Sequence, residues 1–342
     1  MGWTKIPDFV PSEDEFIHVD LSVVVACRNE EVHLPRLLKS LAEQSYKNFE
    51  LILINDHSTD KTAELLAEVS GFLNPVTCIQ ASKTGKKNAL CEGILHAKGD
   101  LIVTTDADCI PCTTWLETIL RFQTHSPSDL IICPVKMTDS SSVFTRLQSL
   151  EFTALIASGA GASGAGMPIL CNGANLAFSK VAWLKSRADL HVEEQSGDDI
   201  FLLQSIKKRG GVIRFLKSES AFVTTESSGT LTEFYNQRRR WASKTPSYTD
   251  WHTIVTACVV FSISLLPFFL LIMATFGIPC WYILLFVFGF KYLLDTFFLA
   301  SVRSFFQLRS FWTTALLLSF IYPFYVVFVG ISALLFKPLK WN

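Results

Sequence analysis

Two aspartates close an apolar run of the sequence. Asp106 and Asp108 follow "DLIVTT" (residues 100–105) in the order Asp-Ala-Asp. The spacing alone is weak, because a chain of this composition contains D-x-D by chance roughly 0.7 times. Two carboxylates at the end of a buried strand nevertheless suit a hard divalent cation, which takes oxygen ligands and often shares them with substrate phosphates. We therefore predict that Asp106 and Asp108 bind Mg²⁺ or Mn²⁺; the alternative is a solvated strand end.

Other polar clusters follow the strands that precede this one. "CRNE" (residues 27–30) and "NDHSTD" (residues 55–60) each come directly after an apolar run. Five such runs alternate with helix-like segments, at residues 21–26, 49–54, 76–80, 100–105 and 129–135. This alternation predicts an α/β fold with a mainly parallel sheet and helices on both faces. Ligands of such sheets bind beyond the carboxyl ends of the strands, where the three polar clusters would meet.

The C-terminal third is far more apolar than the rest. Residues 253–342 hold five Lys or Arg and one acid, which leaves 25 basic and 30 acidic residues in the ordinary balance of residues 1–252. The stretch 253–275 has no charge, and its helix would be about 35 Å long, enough to cross a hydrocarbon core of about 30 Å. We predict three transmembrane helices, at about 253–275, 278–302 and 312–336. This composition excludes an ordinary soluble protein.

Charges beside these spans predict their orientation. Arg238, Arg239, Arg240 and Lys244 precede the first span, Arg303 and Arg309 separate the second from the third, and the link between the first two has no charge. The positive-inside rule then places residues 1–252 in the cytoplasm. We expect an integral protein of a bacterial inner or plasma membrane. Within the second span, Lys291 and Asp295 lie on one helix face, as a structural ion pair or as part of a site for a polar substrate.

The nine cysteines do not have the spacing of a disulfide framework. Cys109 and Cys112 form a lone C-x-x-C without a second pair or a histidine cluster, which disfavours zinc. Reduced thiols in a reducing compartment are expected.

Three further motifs follow in the chain: "TGKKNAL" (residues 84–90), "SGDD" (196–199) and "QRRRW" (237–241). With "VVVACRNE" and "TDADC", they make residues 20–245 resemble the inverting glycosyltransferases of family 2, of the GT-A fold. This family includes cellulose, hyaluronan and ceramide-glucosyl synthases. Five motifs in the family's order are specific, whereas each by itself is weak.

The resemblance implies roles for particular residues. The donor nucleotide sugar would contact Ala26, Arg28, Glu30, Asp56, Lys86, Lys87 and Asp106. Asp199 would be the general base, with Asp198 as the alternative, since many members have Glu-Asp where this chain has Asp-Asp. Gln237, Arg240 and Trp241 fit the Q-x-x-R-W signature and would contact the acceptor or the diphosphate. Many members have Asp-Asp after the second strand where this chain has Asn-Asp, which makes Asp56 the expected base or ribose contact.

The resemblance also implies a reaction. A metal-dependent inverting transfer would move a sugar from a nucleotide sugar, with UDP expected and GDP-mannose as the alternative. A lipid or lipid-linked acceptor is favoured, because three spans are few to enclose a polymer channel. A processive polysaccharide synthase is the alternative, for which an oligomer or a preceding transmembrane helix would supply more spans. A non-catalytic membrane subunit that binds a nucleotide sugar is disfavoured, since every motif keeps its reactive residue. No nucleic-acid partner is expected.

These patterns predict four segments along the chain. Residues 1–19 would form an irregular juxtamembrane arm, 20–245 a cytoplasmic GT-A domain, 253–336 the membrane helices and 337–342 a tail. The glycine-rich stretch 157–180 is predicted not to be a helix. It would be either a flexible linker or a loop on the acceptor side.

Overall fold

The computed structural model describes residues 2–11, 19–69, 75–138, 142–190, 197–309 and 311–336. The chain forms two compact units. Of the described residues, the first unit comprises those within 2–137 and 158–226, and the second comprises those within 138–157 and 227–336. The tail predicted for residues 337–342 lies outside the described residues.

Strands belong to the first unit. They are β1 (Leu21–Cys27), β2 (Glu50–Asn55), β3 (Val76–Gln80), β4 (Leu101–Thr104), β5 (Ile110–Pro111), β6 (Leu130–Ile132), β7 (Val135–Met137), β8 (Leu176–Ser179), β9 (Ile213–Phe215) and β10 (Val223–Thr225). Its helices are α1 (Leu34–Ala42), α2 (Thr62–Glu68), α3 (Lys86–His96), α4 (Trp115–His125), α6 (Lys180–Ser186) and α7 (Asp198–Lys208). The helix α5 (Val143–Gly164) contributes to both units. The second unit adds α8 (Leu231–Ala242), α9 (Trp251–Thr275), α10 (Trp281–Val302) and α11 (Trp312–Leu335).

The main sheet has seven strands in the order β3-β2-β1-β4-β8-β6-β9. Strands β1 to β4 are parallel to their neighbours, β8 runs antiparallel between β4 and β6, and β9 is parallel to β6. Six strands therefore share one direction, which confirms the predicted mainly parallel sheet. Every residue of β1 and β4 is buried, as in strands that are covered on both faces. This burial on both faces explains why the sequences of β1 and β4 are unbroken apolar runs.

The single strand predicted for residues 129–135 is wrong. Two short strands replace it: β6 in the main sheet, and β7 in a smaller sheet of order β5-β10-β7. Pro134 lies between them and has no N–H for a ladder bond. Its carbonyl instead accepts hydrogen bonds from the Asn175 side chain, at 2.7 Å, and from the Val223 amide, at 3.2 Å. The chain thus changes sheets at the proline.

The prediction of no helix in the glycine-rich stretch is wrong for residues 157–164, because α5 continues to Gly164. A glycine inside a helix costs about 1 kcal/mol relative to alanine, and here close packing requires it. A Cβ atom on Gly164 would lie 2.3 Å from the carbonyl oxygen of Gly2, and a Cβ on Gly2 would lie 1.8 Å from that of Gly161. The glycines therefore let the N-terminal segment pack directly against the helix backbone.

The arm predicted for residues 1–19 is packed on the first unit over residues 2–11. Trp3 is 4% exposed, its ring contacts Phe215, and the Lys217 ammonium lies 4.6 Å from its centre. Phe9 donates a backbone hydrogen bond to the Lys217 carbonyl, at 2.8 Å, beyond the end of the edge strand β9. The segment 12–18 lies outside the described residues.

Among the described residues, the three helices α9, α10 and α11 are long and apolar enough to cross a membrane. Their number agrees with the predicted spans, and α10 begins three residues later than expected. Lys291 and Asp295 form an ion pair on α10. The Ser319 hydroxyl on α11 donates to Asp295 at 3.2 Å. The pair thereby links two of the apolar helices, which favours the structural reading of these charges.

Candidate active site

The loops that follow β1 and β2 are joined by side-chain hydrogen bonds. Asn29 accepts from the Thr59 amide at 2.9 Å, and the Asn29 amide donates to the Ser58 hydroxyl at 3.1 Å. Asn29 and His57 both have a left-handed backbone, with φ of 56° and 54°. Such a conformation costs about 1 kcal/mol or more for a residue other than glycine. The two loops are therefore held in one arrangement at the carboxyl ends of their strands.

Asp56 is completely buried at this edge. Both of its carboxylate oxygens accept from the Gly85 amide, at 2.9 Å each, and the Arg28 guanidinium lies 3.6 Å away. The fold thus brings together Arg28, Asp56 and the start of α3, as their predicted contact with one donor nucleotide sugar would require. Ala26, which is also a predicted donor contact, is buried in β1 opposite Ile54.

The two adjacent lysines of "TGKKNAL" point to different places. The Lys86 ammonium lies 2.5 Å from an Asp106 oxygen, and both side chains are partly exposed. Lys87 is 4% exposed, donates to the Leu190 carbonyl at 3.4 Å and lies 4.6 Å from the centre of the Phe201 ring. Lys86 is therefore the lysine beside the D-x-D carboxylates.

Asp106, Asp108 and Cys109 form a cluster whose possible ligand atoms lie within 4.8 Å of one another. Burial, and next the negative charge of Asp106, raise the pKa of Asp108. Burial also raises the pKa of the Cys109 thiol, which donates to Asp108 at 3.3 Å and stays neutral. A neutral thiol is a poor ligand, whereas two crowded carboxylates suit a hard cation. The residues fit Mg²⁺ or Mn²⁺ better than zinc.

Glu30 adds a third carboxyl to this neighbourhood. Burial, and next the charge of Asp108, raise the pKa of Glu30 to about 7. The His33 ring nitrogen Nδ1 lies 2.9 Å from Glu30, and the Glu30 amide donates to the Thr62 hydroxyl at 2.7 Å. The site therefore gathers more negative charge than Lys86 alone neutralises, as a site for a cation would.

Asp198 and Asp199 lie at the N-terminus of α7. Gly197 precedes them with φ of 94°, a conformation that favours glycine. Asp199 accepts from the Ile200 amide at 2.7 Å and from the Gly173 amide at 3.2 Å. These bonds and the helix dipole stabilise the charged carboxylate. Its orientation is thus set from two elements.

A small cavity of about 30 Å³ lies beside these two aspartates, with room for one or two water molecules. Lys87, Cys91 and Thr104 line it together with both carboxyl groups. The structure therefore brings Lys87 to the predicted general base and not to the D-x-D pair.

Gln237, Arg240 and Trp241 lie on α8 in the second unit. There the structure adds a residue that the motif did not single out. Arg238 is 3% exposed and donates to the Gln237 side-chain oxygen at 2.7 Å and to Glu151 at 2.5 Å. Its guanidinium lies 4.2 Å from the centre of the Trp241 ring. The sequence did contain one indication of this ion pair, because Glu151 is the only acidic residue in α5.

Comparisons with known proteins agree with this description. Residues 22–182 match the family model of Glycosyl transferase family 2. The poly-beta-1,6-N-acetyl-D-glucosamine synthase of Staphylococcus aureus is 29% identical over 153 residues, which are 44% of this chain and 36% of that protein. The 4,4′-diaponeurosporenoate glycosyltransferase of Staphylococcus haemolyticus is 39% identical over 90 residues, 26% of this chain and 24% of that protein. The chain thus matches about a third or less of the length of these relatives.

A solved structure is similar over almost the whole chain. It is the mannosyltransferase PcManGT from Pyrobaculum calidifontis in complex with GDP-Man and Mn²⁺, with a TM-score of 0.56 and 15% identity. The similarity covers 97% of this chain and 92% of that one. At this identity it bears on the fold alone, and it agrees with the GT-A sheet described above. Residues 22–182 of this chain thus form a region that matches the family model of glycosyltransferase family 2.

Proposed function

We propose that the protein is a membrane-bound, metal-dependent inverting glycosyltransferase that moves a sugar from a nucleotide sugar to a lipid or lipid-linked acceptor. One observation carries the proposal: the first unit places Lys86, Asp106 and Asp108 beyond the strand β4, and fixes Asp199 at the start of α7. A basic and acidic cluster for a diphosphate and a separate, oriented carboxylate are the two parts that inverting transfer needs.

The donor would bind along the loops after β1, β2 and β4. The buried Asp56, with Arg28 beside it, would contact the base or ribose, and Asp106 the ribose. Lys86 would leave Asp106 for the diphosphate oxygens, which carry more charge than one carboxylate. A bound Mg²⁺ or Mn²⁺, held by Asp106 and Asp108, would neutralise the leaving nucleoside diphosphate. UDP is the proposed nucleotide.

Asp199 would act as the general base. Inverting transfer needs one carboxylate that takes the proton of the acceptor hydroxyl while this oxygen attacks the anomeric carbon. The hydrogen bonds that Asp199 accepts from Gly173 and Ile200 would hold its carboxylate in one orientation at the start of α7. Asp198, one residue earlier in the same turn, is the alternative base.

The three apolar helices support an acceptor at the membrane. A lipid or lipid-linked acceptor can approach an interfacial site directly. A processive polysaccharide synthase is the second candidate, and the similarity to poly-beta-1,6-N-acetyl-D-glucosamine synthase favours it. The other relative acts, by its name, on 4,4′-diaponeurosporenoate, which is not a polymer.

The test uses the full chain in detergent with labelled nucleotide sugars, Mn²⁺ and a membrane lipid extract. We expect label in the organic phase, and its loss when EDTA removes the metal. Label in aqueous material of high molecular weight would instead establish a polysaccharide synthase. An absence of transfer from every nucleotide sugar, with donor binding intact, would support a non-catalytic subunit. Activity unchanged by EDTA would contradict the metal requirement.

A further inference from the structure

The turn that joins α10 to α11 has an unusual backbone. The Leu308 amide donates to the Arg303 carbonyl at 3.0 Å, and the Gln307 amide donates to the Ser304 carbonyl at 3.2 Å. This pair of bonds is the Schellman arrangement that ends many helices, in which the left-handed residue is usually glycine. Here that residue is Gln307, with φ of 56°. Glutamine in this conformation costs about 1 kcal/mol more than glycine would.

Aromatic residues anchor the turn and leave its polar residues outside. Phe305 and Phe306 are buried and contact each other edge to face, with ring centres 5.0 Å apart. Phe311, at the start of the next helix, is also buried and stacks on Trp312. Arg303, Ser304, Gln307 and Arg309 are exposed around this aromatic base. The polar side chains are therefore presented from a fixed backbone.

These polar residues line one open pocket of about 490 Å³, together with Ala300 and Leu308. The pocket contains two guanidinium groups, one hydroxyl and one amide. No carboxylate of the described residues forms an ion pair with either arginine, and the sequence has no acid between Asp295 and the end of α11. The pocket thus has a net positive charge and the donors that bind a phosphate group.

The position of the turn indicates the source of that phosphate. If α9, α10 and α11 cross a membrane in succession, residues 303–309 lie at the same membrane face as residues 243–250, and the uncharged link 276–280 lies at the other. A pocket of arginines between two membrane helices, at the level of lipid headgroups, is suited to an anionic lipid. The apolar side chains of Ala300 and Leu308 offer contact to its acyl chains.

We propose that Arg303, Arg309 and Gln307 form a binding site for the headgroup phosphate of an anionic glycerophospholipid. The proposal rests on the membrane location in the proposed function and not on sugar transfer. The bound lipid would hold the α10–α11 hairpin at a fixed depth. It would also supply negative charge to a turn that contains two arginines and no acid.

The test measures binding of phosphatidylglycerol to the detergent-solubilised full chain by native mass spectrometry, with phosphatidylcholine as the neutral comparison. We expect phosphatidylglycerol to bind more tightly, and the double variant Arg303→Gln/Arg309→Gln to lose about 30-fold in its affinity, or about fivefold for each arginine. Arg146→Gln, which removes an exposed arginine of α5, should leave binding unchanged. Arg303→Lys/Arg309→Lys keeps the charge and should retain part of the affinity.

A second variant separates binding from folding. Gln307→Gly relieves the left-handed strain and removes the amide, so its thermal stability should be unchanged or raised while phosphatidylglycerol binding weakens about fivefold. Equal binding of both lipids, or wild-type binding by the double glutamine variant, would overturn the proposal. Displacement of the lipid by millimolar inorganic phosphate would identify a site for free phosphate and would also overturn it. Sugar transfer is not measured here, so the proposed activity and this site can fail independently.

Discussion

The ion pair between Arg238 and Glu151 offers a quantitative test of how the Q-x-x-R-W segment is held. Both side chains are nearly inaccessible, at 3% and 10% exposure, and the guanidinium is also stacked on Trp241. Glu151→Leu would leave a buried arginine without its counter-charge, which typically costs about 3–5 kcal/mol. We expect the melting temperature in detergent to fall by roughly 10 °C. Glu43→Leu, which breaks the exposed pair with Lys39, is the control and should cost below about 0.5 kcal/mol.

The double variant Glu151→Leu/Arg238→Met removes both charges and keeps much of the apolar volume. A buried pair replaced in this way is commonly as stable as the original, so most of the lost stability should return. Sugar transfer should stay low, because the Gln237 amide has lost the donor that orients it. A single variant that costs less than about 1 kcal/mol would refute the buried-pair reasoning. Full activity of the double variant would show that Arg238 has no positioning role.

Three further predictions follow from the first unit. Asp199→Asn should lower kcat by about 10²–10⁴-fold with the fold intact, and a larger loss in Asp198→Asn, measured side by side, would exchange the two roles. Without metal, the free energy of unfolding should fall as pH rises from 4.5 through about 7, because the folded state holds the Glu30 proton more tightly than the unfolded chain does. The fall should reach about 2.5 kcal/mol between urea titrations at pH 5 and at pH 8, and a slope unchanged by Glu30→Gln would contradict it. Gly164→Ala should cost about 1–3 kcal/mol, because its Cβ would meet a backbone oxygen at 2.3 Å, whereas Gly161→Ala has 3.5 Å and should fold like the wild type in the same melting assay.

Part of the site could be predicted because the sequence features that mark it depend only on neighbouring residues. Strands buried on both faces need unbroken apolar runs, so β1, β2 and β4 stand out in the sequence, and the polar residues after them mark the candidate ligand edge. A membrane-spanning helix likewise needs about twenty apolar residues in succession. One segment meets this requirement by itself, without contacts to distant parts of the chain. These features are properties of single segments and appear in any careful reading of the chain.

Other features depend on partners that lie far away in the sequence. Adjacent lysines cannot be distinguished by spacing, and only the packing of α3 sends Lys86 to Asp106 and Lys87 to Phe201. The long helix α5 contradicts the propensity of its glycines, because the N-terminal segment packs against them. Arg238 gained its importance from Glu151, 87 positions away.

By itself, the sequence indicated the strands β1 to β4 with the helices between them, the three apolar helices, and the residues proposed to bind a metal and a nucleotide sugar. Periodicity and side-chain chemistry are set by each residue and its near neighbours. The tertiary structure alone decided which lysine faces Asp106, where the chain changes sheets at Pro134, and how Gln237 is oriented. These outcomes depend on close packing and on buried hydrogen bonds, whose free energies exist only once distant segments are in contact.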